Sequence, residues 1–265
     1  GEGVPPAIAA LLRGRAGVAA LTLVLLAACS TAPEPPERRA IVPPEPFVDM
    51  VSADPSAAMP SASDDLIVAY DITSASSLTV VVTKHRPLDP VSYVPADLVA
   101  VSAVPGGAAQ QMRTEAAAAM TRMYEAANAA GAPFRILTAY RSYDFQQGVY
   151  GSDVRALGAA EADRRVARPG YSEHQTGLTA DINDVPANKL KQAFGKSAAG
   201  TWVREHAHEY GFIVSYPEGS EAVTGYFYEP WHIRFVGTVV SADMRDTGVE
   251  TLQEYFDVEA SPSYE

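Results

Sequence analysis

Prolines divide this 265-residue chain before any other feature does. Eight of its 20 prolines, Pro33, Pro35, Pro36, Pro43, Pro44, Pro46, Pro55 and Pro60, are interleaved with Ser, Ala and Glu in one stretch. Each removes a backbone donor and resists helix, so residues 29–65 are expected to be an extended, solvated tether whose use is reach. Folding is thereby confined to residues 66–265, a length that suits a single domain. An apolar fraction of 47% is enough for that domain to bury a core. With 20 basic against 32 acidic residues the net charge is -12, which repels phosphate backbones and excludes nucleic acid as an expected partner. The single cysteine can form neither an internal disulfide nor a cysteine-based zinc cluster.

Ahead of the tether, Arg13 and Arg15 precede a small and apolar run from Ala16 to Ala28. That run is shorter than the ~20 residues a membrane-spanning helix needs. A basic start, a short apolar middle and small residues at the end make residues 1–28 an expected secretory signal. The segment closes as Leu26-Ala27-Ala28-Cys29-Ser30, which resembles a bacterial lipobox. The resemblance implies cleavage before Cys29 and lipidation of its sulfur; an ordinary signal with an incidental cysteine is the alternative. The chain is accordingly expected outside the cytoplasm, held to the membrane only through an N-terminal lipid.

Within the domain, β-branched runs at 66–70 and 78–83 predict two strands separated by a Ser-rich turn. An Ala-rich stretch at 113–130, stopped by Gly131 and Pro133, predicts a helix. A buried strand at 134–138 is expected next, then helices at 143–158 and 200–210. Further strands are expected at 212–215 and 231–236, with a short amphipathic helix at 249–256. Strands and helices mix without a regular βαβ alternation, so the class is α+β.

Five histidines are present: His85, His174, His206, His208 and His232. His174 lies in Gly170-Tyr171-Ser172-Glu173-His174-Gln175-Thr176-Gly177-Leu178-Thr179-Ala180-Asp181-Ile182, where Asp181 is flanked by apolar residues. A carboxylate in such company needs a cation or donors to offset desolvation, and zinc held by His nitrogen and Asp oxygen provides one. His232 ends Glu229-Pro230-Trp231-His232. Two His and one Asp would leave a tetrahedral zinc one open position for water, and Glu229 could serve as the base that is not a ligand. From spacing alone, hydrogen-bonded structural histidines account for the same residues equally well. His206 and His208, two apart on an expected helix, point in different directions and make poor co-ligands. His85 is expected to be structural or exposed.

Ser172-x-His174-x-x-Gly177-Leu178-Thr179-Ala180-Asp181 followed by Glu229-Pro230-Trp231-His232 resembles the VanY-type D-alanyl-D-alanine carboxypeptidases, zinc peptidases of bacterial cell walls. Two more stretches carry the likeness: 139–146, with Tyr140-Arg141-Ser142, and 84–98, with His85-Arg86-Pro87 and Pro95-Ala96-Asp97. It extends over roughly residues 78–237. The resemblance implies one compact metallo-D,D-carboxypeptidase (Hedgehog/DD-peptidase-like) domain over 66–265, a small mixed or antiparallel sheet flanked by helices. It further implies one Zn2+ on His174, Asp181 and His232, Glu229 as catalytic base, and Arg141 at the substrate carboxylate or the oxyanion. Ser172 and Gln146 match positions lining the substrate groove, though both also suit local capping. Trp231 is expected in the core beside the metal. The implied reaction is removal of a terminal D-amino acid, D-Ala from D-Ala-D-Ala, from peptidoglycan stem peptides; a monomer is expected. The same scaffold also serves L,D-carboxypeptidases and endopeptidases. A zinc-containing wall-binding module is a further alternative, and a scaffold for other wall enzymes another.

Overall fold

The computed structural model describes residues 70–264. The signal, Cys29, the tether and the first four residues of the strand expected at 66–70 lie outside the described residues, and Tyr70 itself forms a bend.

A two-stranded ribbon comes first: β1 (Leu98–Ala100) pairs antiparallel with β2 (Gln111–Arg113). Helix α1 (Thr114–Ala129) follows directly and buries Ala116, Ala119, Met120, Met123 and Ala127 along one face. The small alanines let it sit close to the sheet while the methionines fill the gaps. That sheet is four-stranded and antiparallel, ordered β3 (Arg135–Thr138), β4 (Thr179–Asn183), β6 (His232–Phe235), β5 (Phe212–Val214). Strand side chains alternate between faces. Ala180, Ile182, Ile233 and Phe235 therefore enter the main core with the α1 methionines, while Asp181, His232 and Arg234 point the other way. Helix α2 (Tyr143–Leu157), capped by Ser142 Oγ on the Phe145 N–H, stands beside that second face with Phe145, Gln146 and Val149, and the short α3 (Ala159–Ala162) packs against α2.

The helix expected at 200–210 is α4 (Ala198–His206), tightened into a 3₁₀ turn at Ala207–Tyr210. The short α5 (Glu221–Thr224) lies between β5 and β6. After β6 the chain forms α6 (Thr238–Thr247), which the sequence did not suggest, and of the closing helix only α7 (Leu252–Tyr255) remains. The sheet is antiparallel and the class α+β, as expected.

One expected strand is corrected. Residues 78–83 are largely buried but form no strand: Leu78 and Thr79 lie in a turn, Val80–Val82 are irregular, and Thr83 makes only an isolated bridge to Arg86. Their carbonyls are instead taken by a side chain: Arg234 Nη2 donates to Leu78 O at 3.1 Å and Val80 O at 3.0 Å, and Val81 N–H donates to Ile72 O at 3.0 Å. A β-branched run reads the same whether strands or a guanidinium satisfy its backbone. Among the described residues, no helix is long and apolar enough to cross a membrane.

Candidate zinc centre

Three elements bring the candidate ligands together. Asp181 on β4 is directly opposite His232 on β6, which sets the two side chains next to each other on one face. His174 arrives on a 3₁₀ turn, Glu173–Thr176, that ends at Gly177 with φ 70°. Glycine suits this left-handed backbone, and a Cβ would crowd Leu98 Cδ2 at 2.9 Å and Arg113 Cγ at 3.0 Å.

His174 Nε2 lies 3.3 Å from Asp181 Oδ1, and His232 Nδ1 lies 3.2 Å from the same oxygen. One ligand atom from each of the three residues falls within 4.8 Å of the others. All three side chains are buried. Asp181 Oδ1 receives no hydrogen bond of good geometry, only the nearby edges of the two rings, and is a carboxylate oxygen of the kind a cation satisfies.

The ring nitrogens facing away fix the tautomers. His174 Nδ1 is 2.7 Å from Ala139 O, which can only accept, so Nε2 keeps its lone pair for the centre. His232 Nε2 is 3.0 Å from Glu173 Oε2, which turns Nδ1 inward. The set fits one zinc ion: two imidazole nitrogens and a carboxylate oxygen, with an open position.

Glu229 enters from a turn whose second residue is Pro230. His232 N–H donates to Glu229 O at 3.0 Å, and the carboxylate Oε2 stands 3.7 Å from His232 Nδ1 with 12% of its side chain exposed. Burial, with help from the Asp181 charge, pushes Glu229 up to about 8. Arg141 Nη2 donates to Asp181 Oδ2 at 2.6 Å and to the His174 Nε2 lone pair at 2.9 Å, and its Nη1 reaches Gln146 Oε1 at 3.4 Å. A metal held there would use the His174 Nε2 lone pair, and Arg141 would keep its contact with Asp181 Oδ2.

These groups form the floor of a cleft of about 730 Å³ whose walls include Phe145, Gln146, Ser172, Leu190, Tyr228 and Trp231. Gln146 and Ser172 both line it. Gln146 also ties the wall together by donating to Ala167 O at 2.8 Å, while Ser172 provides no side-chain cap to the 3₁₀ turn. Trp231 is half-buried, packed on the main core and facing the cleft at once. His206 and His208 are remote from the centre: His206 pairs with Glu209 at 2.8 Å and packs on Trp202. His85 is exposed, its ring on Ser263 O.

Comparison with known proteins gives the family. The family model described as VanY, D-alanyl-D-alanine carboxypeptidase, matches residues 109–238. The putative carboxypeptidase YodJ of Bacillus subtilis is 39% identical over 191 residues, 70% of this chain and 69% of that protein. The chain belongs to the VanY D-alanyl-D-alanine carboxypeptidase family. Among solved structures, the LdcB LD-carboxypeptidase is 37% identical with a TM-score of 0.62, over 70% of this chain and 88% of that one. Two further structures, VanYB and a vancomycin-resistance D,D-pentapeptidase VanY, are each 28% identical with TM-score 0.57. One is in complex with D-Ala-D-Ala, matching 67% of this chain and 96% of that one. The other, a Glu-to-Ala variant, is in complex with Zn(II), matching 69% of this chain and 99% of that one.

Beyond the VanY-family motif residues, the structure places three side chains at the centre that sequence reasoning did not single out. Glu173 contacts His232, the ring of Tyr216 stacks on His232 at 4.7 Å, and Arg234 pairs with Glu173 at 3.2 Å. Glu173 stands beside a motif histidine, but an acidic residue next to a ligand is also what a solvated turn looks like. Only the fold distinguishes the two.

The electrostatics predict pH-dependent zinc loading. Burial opposes the His232 imidazolium, but Asp181 and Glu173 outweigh it and raise the group to about 9. Burial, then Arg141, lowers His174 to about 4, so that ring is neutral. The proton on His232 stabilises the metal-free fold below the ordinary histidine value of about 6.5 and loses that effect as pH rises through about 9. Zinc must displace this proton. Apparent zinc affinity is therefore expected to rise by up to about tenfold per pH unit between about 6.5 and about 9 and then level off, measured by chelator competition. A flat profile across that window would contradict the assignment of His232 as a ligand.

Proposed function

We propose that the chain is a zinc-dependent carboxypeptidase that removes the terminal D-amino acid, D-Ala from D-Ala-D-Ala, from peptidoglycan stem peptides. The observation that carries this reading is Glu229. It is a carboxylate 3.7 Å from a ligand nitrogen, lining the cleft and raised to about 8, beside three convergent metal donors. A wall-binding module or scaffold would have no use for such a group.

Zinc bound by His174, Asp181 and His232 supplies a Lewis acid for the scissile carbonyl and a bound water whose pKa falls to about 7. Glu229 takes the proton from the attacking water and passes it to the amine of the departing D-amino acid. A value near neutrality suits both transfers, and a cation at the adjacent ligands draws it down from about 8. Arg141, always charged and planar, holds Asp181 and offers its remaining donors to the substrate carboxylate or the developing oxyanion. Gln146 and Ser172 line the groove that orients the peptide. Cys29 carries a lipid after removal of residues 1–28, and residues 29–65 hold the domain, a monomer, just outside the cell membrane where such peptides lie.

A second reading has its own support. LdcB, named as an LD-carboxypeptidase, is more similar in sequence and structure than the two VanY structures. The test is incubation of zinc-loaded protein with stem tetrapeptide and pentapeptide, products followed by mass spectrometry with a chelated control. Loss of one D-Ala from the pentapeptide, abolished by chelation, is expected. Cleavage of the tetrapeptide alone moves the assignment to the L,D class. No cleavage of either by zinc-loaded protein overturns the carboxypeptidase reading.

A further inference from the structure

Arg234 is the largest side chain in the described residues with no exposure to solvent, and it shares the β6 face with His232. Each of its nitrogens has a partner. Nε donates to Phe235 O at 3.0 Å, Nη1 to Glu173 Oε1 at 3.2 Å, and Nη2 to Leu78 O and Val80 O. The other Glu173 oxygen, Oε2, accepts from Ser215 Oγ at 2.6 Å and from His232 Nε2 at 3.0 Å. A continuous path thus runs from two main-chain carbonyls, through a guanidinium and a carboxylate, to the back of a metal ligand.

We propose that Glu173 is the positioning residue of the zinc centre. Held charged by Arg234, it fixes the His232 tautomer and ring orientation and strengthens that nitrogen as a donor. The turn and buried segment through Leu78 and Val80 are part of the same device. That segment lies outside residues 109–238, so the centre depends on chain that the family model does not match.

Chemistry supports the carboxylate as more than a buried ion pair. The two ligand histidines have unlike partners: His174 donates to the neutral Ala139 carbonyl, His232 to an anion. An anion behind an imidazole raises its basicity and pins the ring more firmly than a neutral acceptor does. Buried Glu173 is met only by donors at close range: His232 Nε2 at 3.0 Å, Arg234 Nη1 at 3.2 Å and Ser215 Oγ at 2.6 Å. Arg234 in turn needs the carboxylate, since a buried cation without an anion is strongly disfavoured.

The test measures zinc affinity by chelator competition, the d–d spectrum of the cobalt-substituted chain, and the melting temperature of the metal-free chain. Glu173→Gln is expected to weaken zinc by roughly 10–100-fold and to shift the cobalt spectrum, because an amide cannot serve as an anionic partner to His232. Since that change strands the Arg234 charge, a Glu173→Gln/Arg234→Met double variant is made beside it. Its metal-free melting temperature should return toward that of the unmodified chain while zinc remains weakened. Wild-type zinc affinity and cobalt spectrum in either variant, with only melting altered, would reduce Glu173 to a fold-stabilising residue and overturn the proposal. Nitrogen-detected NMR on the unmodified zinc-loaded chain needs no variant to fold. It should show His232 protonated at Nε2 with slow exchange, and an unprotonated Nε2 overturns the proposal as well. Failure of the unmodified chain to bind zinc would instead defeat the zinc assignment itself.

Discussion

Glu229→Gln is expected to leave zinc bound and to lower kcat by about 10²–10⁴-fold, the range a positioned general base contributes. Glutamine keeps the side chain's size and the turn that delivers it, in which His232 N–H donates to Glu229 O. The proton acceptor alone is lost. Because the group acts in the transition state rather than in binding, kcat and kcat/KM should fall together while KM stays near its original value. The substitution also predicts a stability change that marks the variant as folded. Burial raises Glu229 to about 8, above its ordinary value near 4.5, so ionising it disfavours the metal-free fold as pH rises through that interval. The metal-free Gln variant should therefore match the unmodified chain in acid and melt higher above about pH 8. Turnover retained within about tenfold, with zinc bound, would remove Glu229 from the base role.

The residues of this centre differ in how openly the sequence declares them. His174, Asp181, Glu229 and His232 stand in compact motifs whose spacing survives folding, because a 3₁₀ turn, a strand and a proline turn each hold a short stretch rigid. That Asp181 and His232 meet is a register fact, set by a β4–β6 pairing across some fifty residues of chain. Periodicity could not supply it, since β4 is buried throughout and so lacks the alternation that marks a strand. Glu173 and Arg234 were hidden for a related reason. Charged residues usually signal solvent, and a pair that is buried together shows its partner only in three dimensions. The misplaced strand at 78–83 is the other end of that concealment, for the side chain that satisfies its carbonyls lies more than 150 positions away. Helix α6 was missed because its polar, β-branched start resembles a loop; its packing of Val240 and Met244 against a second, smaller core makes it helical.

His174→Ala should abolish both zinc binding and turnover, and melting reports it without any substrate. For the unmodified chain, zinc at about 1,000 times its dissociation constant stabilises the fold by about 4 kcal/mol, provided the unfolded chain does not bind. In a domain of this size that corresponds to a rise of roughly 8–16 °C in melting temperature. With His174 gone, Asp181 and His232 offer only two donors, and the zinc-dependent rise should vanish. The substitution also leaves Ala139 O without its 2.7 Å partner and removes the ring that meets His232 edge to face at 5.0 Å. Some loss of metal-free stability is thus expected too, and it is the difference with and without zinc that carries the argument. Were the two histidines merely structural, as spacing alone allows, zinc would not move the melting temperature of either chain, and His174→Ala would lower both values equally. A rise preserved in the variant would mean that the metal is held elsewhere. A rise confined to the unmodified chain places the ion on the side chains that β4, β6 and the turn after Ser172 bring together.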